Sequence, residues 1–149
     1  MNNDGNLDVA GSGVEHTRVY LGNGDGSFQA PLLLDAFAGS PRSYLIIADL
    51  DKNGHQDIVS SWGTPTNGSI QWIANNGNNN FDSRANLIED LQESYFMQVG
   101  NLDADEYPEI VVSQVEPEAV FILDYNGVDG YDKVEVNSGM EHGLSLIHI

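Results

Sequence analysis

Three stretches of this chain superimpose without gaps: NNDGNLDVA (residues 2–10), DLDKNGHQDIVSS (49–61) and NLDADEYPEIVVS (101–113). Their last acidic residues, Asp8, Asp57 and Glu109, fall 49 and 52 residues apart. A second element trails each loop at a similar distance: YLGNGDGSF (20–28), IANNGNNNF (73–81) and LDYNGVDGY (123–131), each closing on an aromatic residue. Two landmarks that recur together restrict the chain to a repeat architecture, in which each unit covers its apolar surface with its neighbours.

The content of each unit follows from its residues. SYLIIA (43–48) and SYFMQVG (94–100) are apolar and aromatic runs of strand length that precede two of the acidic loops. Further strands are expected at Asp57 to Ser61 and Ile110 to Gln114, and at Ser69 to Ala74 and Ala119 to Leu123. An Asn/Gly-rich turn and a weaker strand then close the unit, since Asn-Gly and Asp-Gly tolerate the positive φ of primed hairpin turns. NLIEDLQE (86–93) is the nearest approach to a helix, but it fits the repeat better as an edge strand and its loop. Four short strands in about 50 residues is the size of a propeller blade, and a ring of such sheets leaves only short, protected edges.

The expected fold is therefore all-β: a partial β-propeller of about three four-stranded antiparallel blades within residues 1–143. Blade 1, lacking its first strand, is expected over residues 1–42, blade 2 over 43–93 and blade 3 over 94–143. Aligning Asp8 with Asp57 puts the counterpart of Asp49 one residue before Met1. At the other end LSLIHI (144–149) matches the translation of a transposase adapter used in preparing sequencing libraries, and a scar is expected there. The other reading of that apolar run is the opening strand of a fourth unit. On either reading a longer array is expected.

Charge narrows the partners. Five Lys and Arg against 23 Asp and Glu give a formal net charge of -18, which argues against nucleic acid because phosphate backbones are bound by clustered cations. There is no cysteine for a disulfide, a thiolate site or a thiol nucleophile. No stretch approaches the ~18 apolar residues of a membrane-spanning helix, so no membrane insertion is expected. The amino terminus has neither the basic nor the apolar region of a secretion signal.

The spacing of the acids carries the chemistry. Asp49, Asp51, Asn53 and Asp57 put oxygen side chains at loop positions 1, 3, 5 and 9, with Gly54 at position 6 for the bend and the His55 carbonyl as a further oxygen. Calcium is a hard cation that takes six to eight oxygens at ~2.3–2.6 Å, and alternate residues of a tight loop can turn inward around it. Carboxylates so close repel one another without a cation. A solvated Asx-type turn would explain one or two of these residues, but not four oxygens recurring at the same spacing.

The other two loops vary this pattern. The third offers Asn101, Asp103, Asp105, the Tyr107 carbonyl and Glu109, but has Glu106 where the glycine belongs. The first offers Asn2, Asp4, the Asn6 carbonyl and Asp8, and without a first ligand its binding is expected to be weak. An EF-hand is rejected, because position 12 holds Ser60 or Val112 instead of a bidentate Glu and the flanks read as strands.

These motifs, DLDKNGHQDIV, NLDADEYPEIV, NNDGNLDVA and LGNGDGSFQAP, resemble the FG-GAP and VCBS repeats found in integrin α-subunit propellers and in many bacterial secreted or surface proteins. The resemblance implies calcium ligation by Asp49, Asp51, Asn53, the His55 carbonyl and Asp57, in a structural role that clamps a hairpin. It further implies a propeller of about seven blades, the remaining ones lying elsewhere in the same protein, and an extracellular or cell-surface location.

The expected function is a non-catalytic calcium-binding module for protein or glycan binding and adhesion. The alternative is the propeller portion of a larger secreted hydrolase or polysaccharide lyase, or a lectin. No nucleophile stands with a base: His16, His55 and His142 are isolated, Ser60 and Ser61 lack a G-x-S-x-G context, and the few basic residues (Lys52, Lys133, Arg18, Arg42, Arg84) hold no shared repeat position. For a glycan, Trp62 beside Gly63, Thr64 and Pro65 is the better stacking platform, with Tyr20, Tyr44, Tyr95 and Tyr125 as possible helpers; Trp72 reads as core.

Overall fold

A computed structural model describes residues 1–13, 16–36, 44–64, 67–82, 85–89, 91, 95–114, 119–126 and 130–138. His142, Arg42, Arg84 and the run at 144–149 lie outside the described residues.

Eleven strands and no helix make up these residues. The first sheet holds β1 (Val9–Ser12), β2 (His16–Tyr20) and β3 (Leu32–Ala36) in that order. The second runs β4 (Leu45–Ala48), β5 (Asp57–Thr64), β6 (Asn67–Ile73) and β7 (Ala85–Ile88). The third repeats it with β8 (Tyr95–Gly100), β9 (Glu109–Gln114), β10 (Ala119–Tyr125) and β11 (Tyr131–Ser138). Every pairing is antiparallel between chain neighbours. This is the blade-like, all-β architecture that the repeat predicts. The ambiguous run after residue 85 opens as strand β7, paired with β6, so sheet pairing overrides its weak helical pattern.

Side-chain alternation shows why the sheets stack. Adjacent residues of a strand point to opposite faces, and in β5 both Ile58 and Val59 are fully buried. Ile58 and its cross-strand partner Ile73 pack with Val19 and Leu21 of the first unit. Val59 and Ile70 instead join Met97, Ile110, Val112, Phe121 and Leu123 of the third. The second sheet is thus covered on both faces, and for that reason β5 and β6 read as nearly continuous buried runs instead of alternating ones. β4 touches both β1 and β8, so the sheets approach along their inner strands, where the rings of Tyr44 and Phe96 lie 5.0 Å apart.

The Asn/Gly turns are closed by the same backbone bond, between residues four apart, in all three units. The amide of Asn23 donates to the Ser27 carbonyl, that of Asn76 to Asn80 and that of Asn126 to Gly130, at 3.0, 2.8 and 3.0 Å. These loops are longer than the two-residue primed hairpin that Asn-Gly suggests. The positive φ is nonetheless used: Gly77, Asn78 and Asn79 adopt +77°, +52° and +62° in succession. Trp72 packs against the core between the second and third sheets, with Tyr131 edge-on at 6.4 Å, as a core tryptophan should.

Because the two cores are separate, Ile58→Ala and Ile70→Ala should each lower stability by about 2–4 kcal/mol, whereas Leu33→Ala, at an exposed position, should change it by less than about 0.5 kcal/mol. Urea denaturation of the three variants reads these differences directly.

Candidate metal centres in the acidic loops

Local backbone chemistry shapes the second loop. Lys52 and Gly54 adopt φ of +59° and +87°, the second being the bend that glycine at position 6 predicts and the first a further bend two residues earlier. Asp51 Oδ1 accepts the Asn53 amide at 3.1 Å, Asn53 Oδ1 accepts that of His55 at 2.8 Å, and Asp49 Oδ2 accepts that of Gly54 at 3.0 Å. These short bonds curl the loop until carboxylate oxygens of Asp49, Asp51 and Asp57 all lie within 4.8 Å of one another.

Asp57 has a second task that its position in the motif does not reveal. It is fully buried, and its two oxygens accept the amides of Leu50 at 3.0 Å and Asn75 at 2.7 Å. One carboxylate therefore joins the start of the loop to the start of the Asn/Gly turn. Burial pushes its carboxyl up to about 6; the two amides oppose the shift and the Asp51 charge adds to it.

The same staple recurs in the first loop. Asp8 Oδ1 accepts the Gly22 amide at 2.9 Å, while Oδ2 meets the Met1 amino group at 3.1 Å in the position that the Leu50 amide holds. Asn3 and Gly5 bend with φ of +60° and +86°, matching Lys52 and Gly54. Asp4 is held ionised, its carboxyl lowered mainly by the Asn6 amide and then by the Asn2 side chain. Asn2, Asp4 and Asn6 are joined by local bonds at the surface, with the Asn2 side chain donating to Asp4 at 2.9 Å.

The third loop takes another path. Neither Ala104 nor Glu106 adopts positive φ; at position 6 the glutamate side chain resists the region that Gly5 and Gly54 enter freely. Asn101 turns its amide to the Asp105 carbonyl at 2.7 Å. Asp103 and Asp105 do converge, but the third carboxylate beside them is Asp124, from β10. Burial and the charges of Asp103 and Asp105 raise the Asp124 carboxyl. Glu109 is 2% exposed and accepts the Leu102 amide, so the staple survives in part, yet its Oε1 has no hydrogen-bond partner among the described residues.

Asp124 was missed by motif spacing, although one signal was available: it stands where the aligned units carry Leu21 and Ala74. Asn75 gave no such signal. It is fully buried, donates to the carbonyls of Met1 at 2.8 Å and Gln56 at 3.0 Å, and accepts the Gly77 amide at 3.0 Å. Asn53 in turn donates to the Asn75 carbonyl at 3.0 Å. His55, expected to matter only through its backbone, also meets Asn3 at 3.1 Å through Nδ1, and a Cβ at Gly77 would fall 2.6 Å from its Nε2. The first and second loops are therefore physically joined.

The donor set fits a hard divalent cation. It consists of oxygens, and buried oxygens of Asp49, Asp124 and Glu109 lack hydrogen-bond partners among the described residues, a state that a cation would relieve. No catalytic pairing accompanies these carboxylates among the described residues.

Three stacked antiparallel sheets, each tied at its acidic loop by a buried carboxylate, define a β-propeller-like repeat protein. The chain belongs to the FG-GAP-like repeat family, which it matches over residues 1–60 and again over 49–112, the second acidic loop being shared by both stretches. No curated protein matches the chain.

Unfolded aspartate titrates near ~3.9, and Asp57 near about 6 in the fold, so the folded chain holds this proton more tightly. The resulting stability is complete below ~pH 4 and is lost as pH rises through 6. Melting temperature in chelator should therefore decline across about pH 4 to 6, and the decline should be smaller in Asp57→Asn. Asn75→Ala should cost about 2–3 kcal/mol by stranding buried carbonyls, against little for exposed Asn76→Ala, as urea titration would register.

Proposed function

We propose that this chain is a non-catalytic calcium-clamped binding module. The reading rests above all on the convergence of Asp49, Asp51 and Asp57 around a buried Asp49 oxygen that lacks a hydrogen-bond partner among the described residues. Calcium held by Asp49, Asp51, Asn53, the His55 carbonyl and Asp57 neutralises that repulsion and locks the loop between β4 and β5. At the third loop Asp103 and Asp105 act with Asp124, and Asn101, the Tyr107 carbonyl and Glu109 complete the shell. The first loop, with Asn2, Asp4, the Asn6 carbonyl and Asp8, brings only two carboxylates and binds most weakly.

The clamp serves a rigid surface for a protein or carbohydrate ligand outside the cell or at its surface, beside further blades of the same propeller. Family membership supports this placement. Among the described residues no helix is long and apolar enough to cross a membrane.

Calorimetric titration should give about two calcium ions per chain, one for each carboxylate cluster. Saturation to about 100 times Kd should raise stability by about 2.7 kcal/mol per site, visible as a higher melting temperature. Asp51→Ala should remove the second-loop site and its share of the shift. Absence of both heat and thermal shift would reduce the loops to ordinary turns.

A further inference from the structure

A cavity of about 210 Å³ lies on the second sheet, lined among the described residues by Trp62, Asn67, Gly68, Ser69, Asn86 and Glu89. It sits at the end of β5 and β6 remote from the acidic loop, since β5 starts at Asp57 and Trp62 lies five residues along an extended strand. Strand parity places Ile58, Ser60 and Trp62 on one face, opposite Ile73, Gln71 and Ser69. That face is apolar near the loop, where it packs on Val19 and Leu21, and turns polar towards the cavity. Ser60, Ser69 and Gln71 are buried there at 2, 3 and 8% exposure. This end of the face is therefore polar where it meets the cavity and the half-buried indole.

We infer that this cavity binds one ring of a neutral, hydroxyl-rich ligand, a sugar residue, with Trp62 as the stacking surface. The inference rests on the reading of the chain as a binding module, though not on calcium at the loops. Its volume falls below the ~300 Å³ at which sites for drug-sized ligands begin, which suits a single small ring. The polar wall is pre-set: Gln71 donates to Asn86 Oδ1 at 2.7 Å, and Asn86 donates to Glu89 Oε1 at 2.5 Å. Asn86 and Glu89 keep further donor and acceptor capacity for adjacent hydroxyls, and the indole takes the apolar C–H face of a ring.

Other ligand chemistries fit less well. A carboxylate in the wall and a net charge of -18 disfavour an anion. A cationic ammonium would favour an aromatic cage, but Trp62 is the one aromatic residue lining the cavity among the described residues. The tyrosines expected to assist do not gather there: Tyr20 packs on Phe28, Tyr44 on Phe96 and Tyr125 on Tyr107. The Tyr95 side chain lies outside the described residues.

The test is titration of the full chain, in calcium and in chelator, with glucose, galactose, mannose, N-acetylglucosamine and their β-linked dimers, followed by tryptophan fluorescence and saturation-transfer NMR. At least one sugar should bind saturably in the millimolar range. Trp62→Ala should weaken it by about tenfold or more, Trp62→Phe should keep part of the affinity, and Glu89→Gln should reduce it without changing the melting temperature. Loss of the calcium response with sugar binding intact would remove the clamp and leave this site standing. The inference is overturned if no sugar binds, if Trp62→Ala and Glu89→Gln leave affinity unchanged, or if choline or lysine binds the cavity in place of sugar.

Discussion

A buried carboxylate that bonds two backbone amides from different parts of its unit is the interaction on which the second blade depends, and the first and third blades keep variants of it. Asp57 accepts from Leu50 at the head of the acidic loop and from Asn75 at the head of the following turn. Both strands that leave these points, β5 and the segment after β6, are aimed by that one group. An ionised carboxylate without partners would be expensive here; with two amides, and an inward-turned Asp49 and Asp51 beside it, the loop becomes a place where a cation is favoured instead of merely tolerated. Structural bracket and candidate metal ligand are thus combined in one residue.

The bracket also joins neighbouring units at their loops. Asn75 offers its backbone amide to Asp57 while its side chain reaches the carbonyls of Met1 and Gln56. Anything that stiffens the second loop therefore acts on the first through a buried, fully bonded amide. His55 adds a parallel link through Asn3, and the absence of a Cβ at Gly77 makes room for its ring. Stacking of apolar faces holds the sheets together, but these polar contacts set how the loop ends are aligned.

Much of this was legible beforehand, for particular reasons. The strands around Asp57, Ser69, Glu109 and Ala119 were readable because units of similar length repeated their apolar runs and their turn residues together. Gly54 signalled positive φ because no other residue takes it so freely. Glu106 at the same position signalled a departure, and the third loop does follow another path. Trp62 stood out beside a turn, but Tyr20, Tyr44 and Tyr125, offered as its companions, pack elsewhere, since nothing local tells an aromatic residue which neighbour it will meet.

The residues by themselves determined the repeat, the all-β class, the acidic loops and their hard-oxygen chemistry, because each of these is written in spacing along a few consecutive positions. Only the tertiary structure decided that Asp124 joins Asp103 and Asp105, that Asn75 ties two loops together, and that Trp62 shares a cavity with Asn86 and Glu89. Those partners come from different strands or different units, and they meet only through strand register and sheet stacking, which depend on how many faces are buried at once.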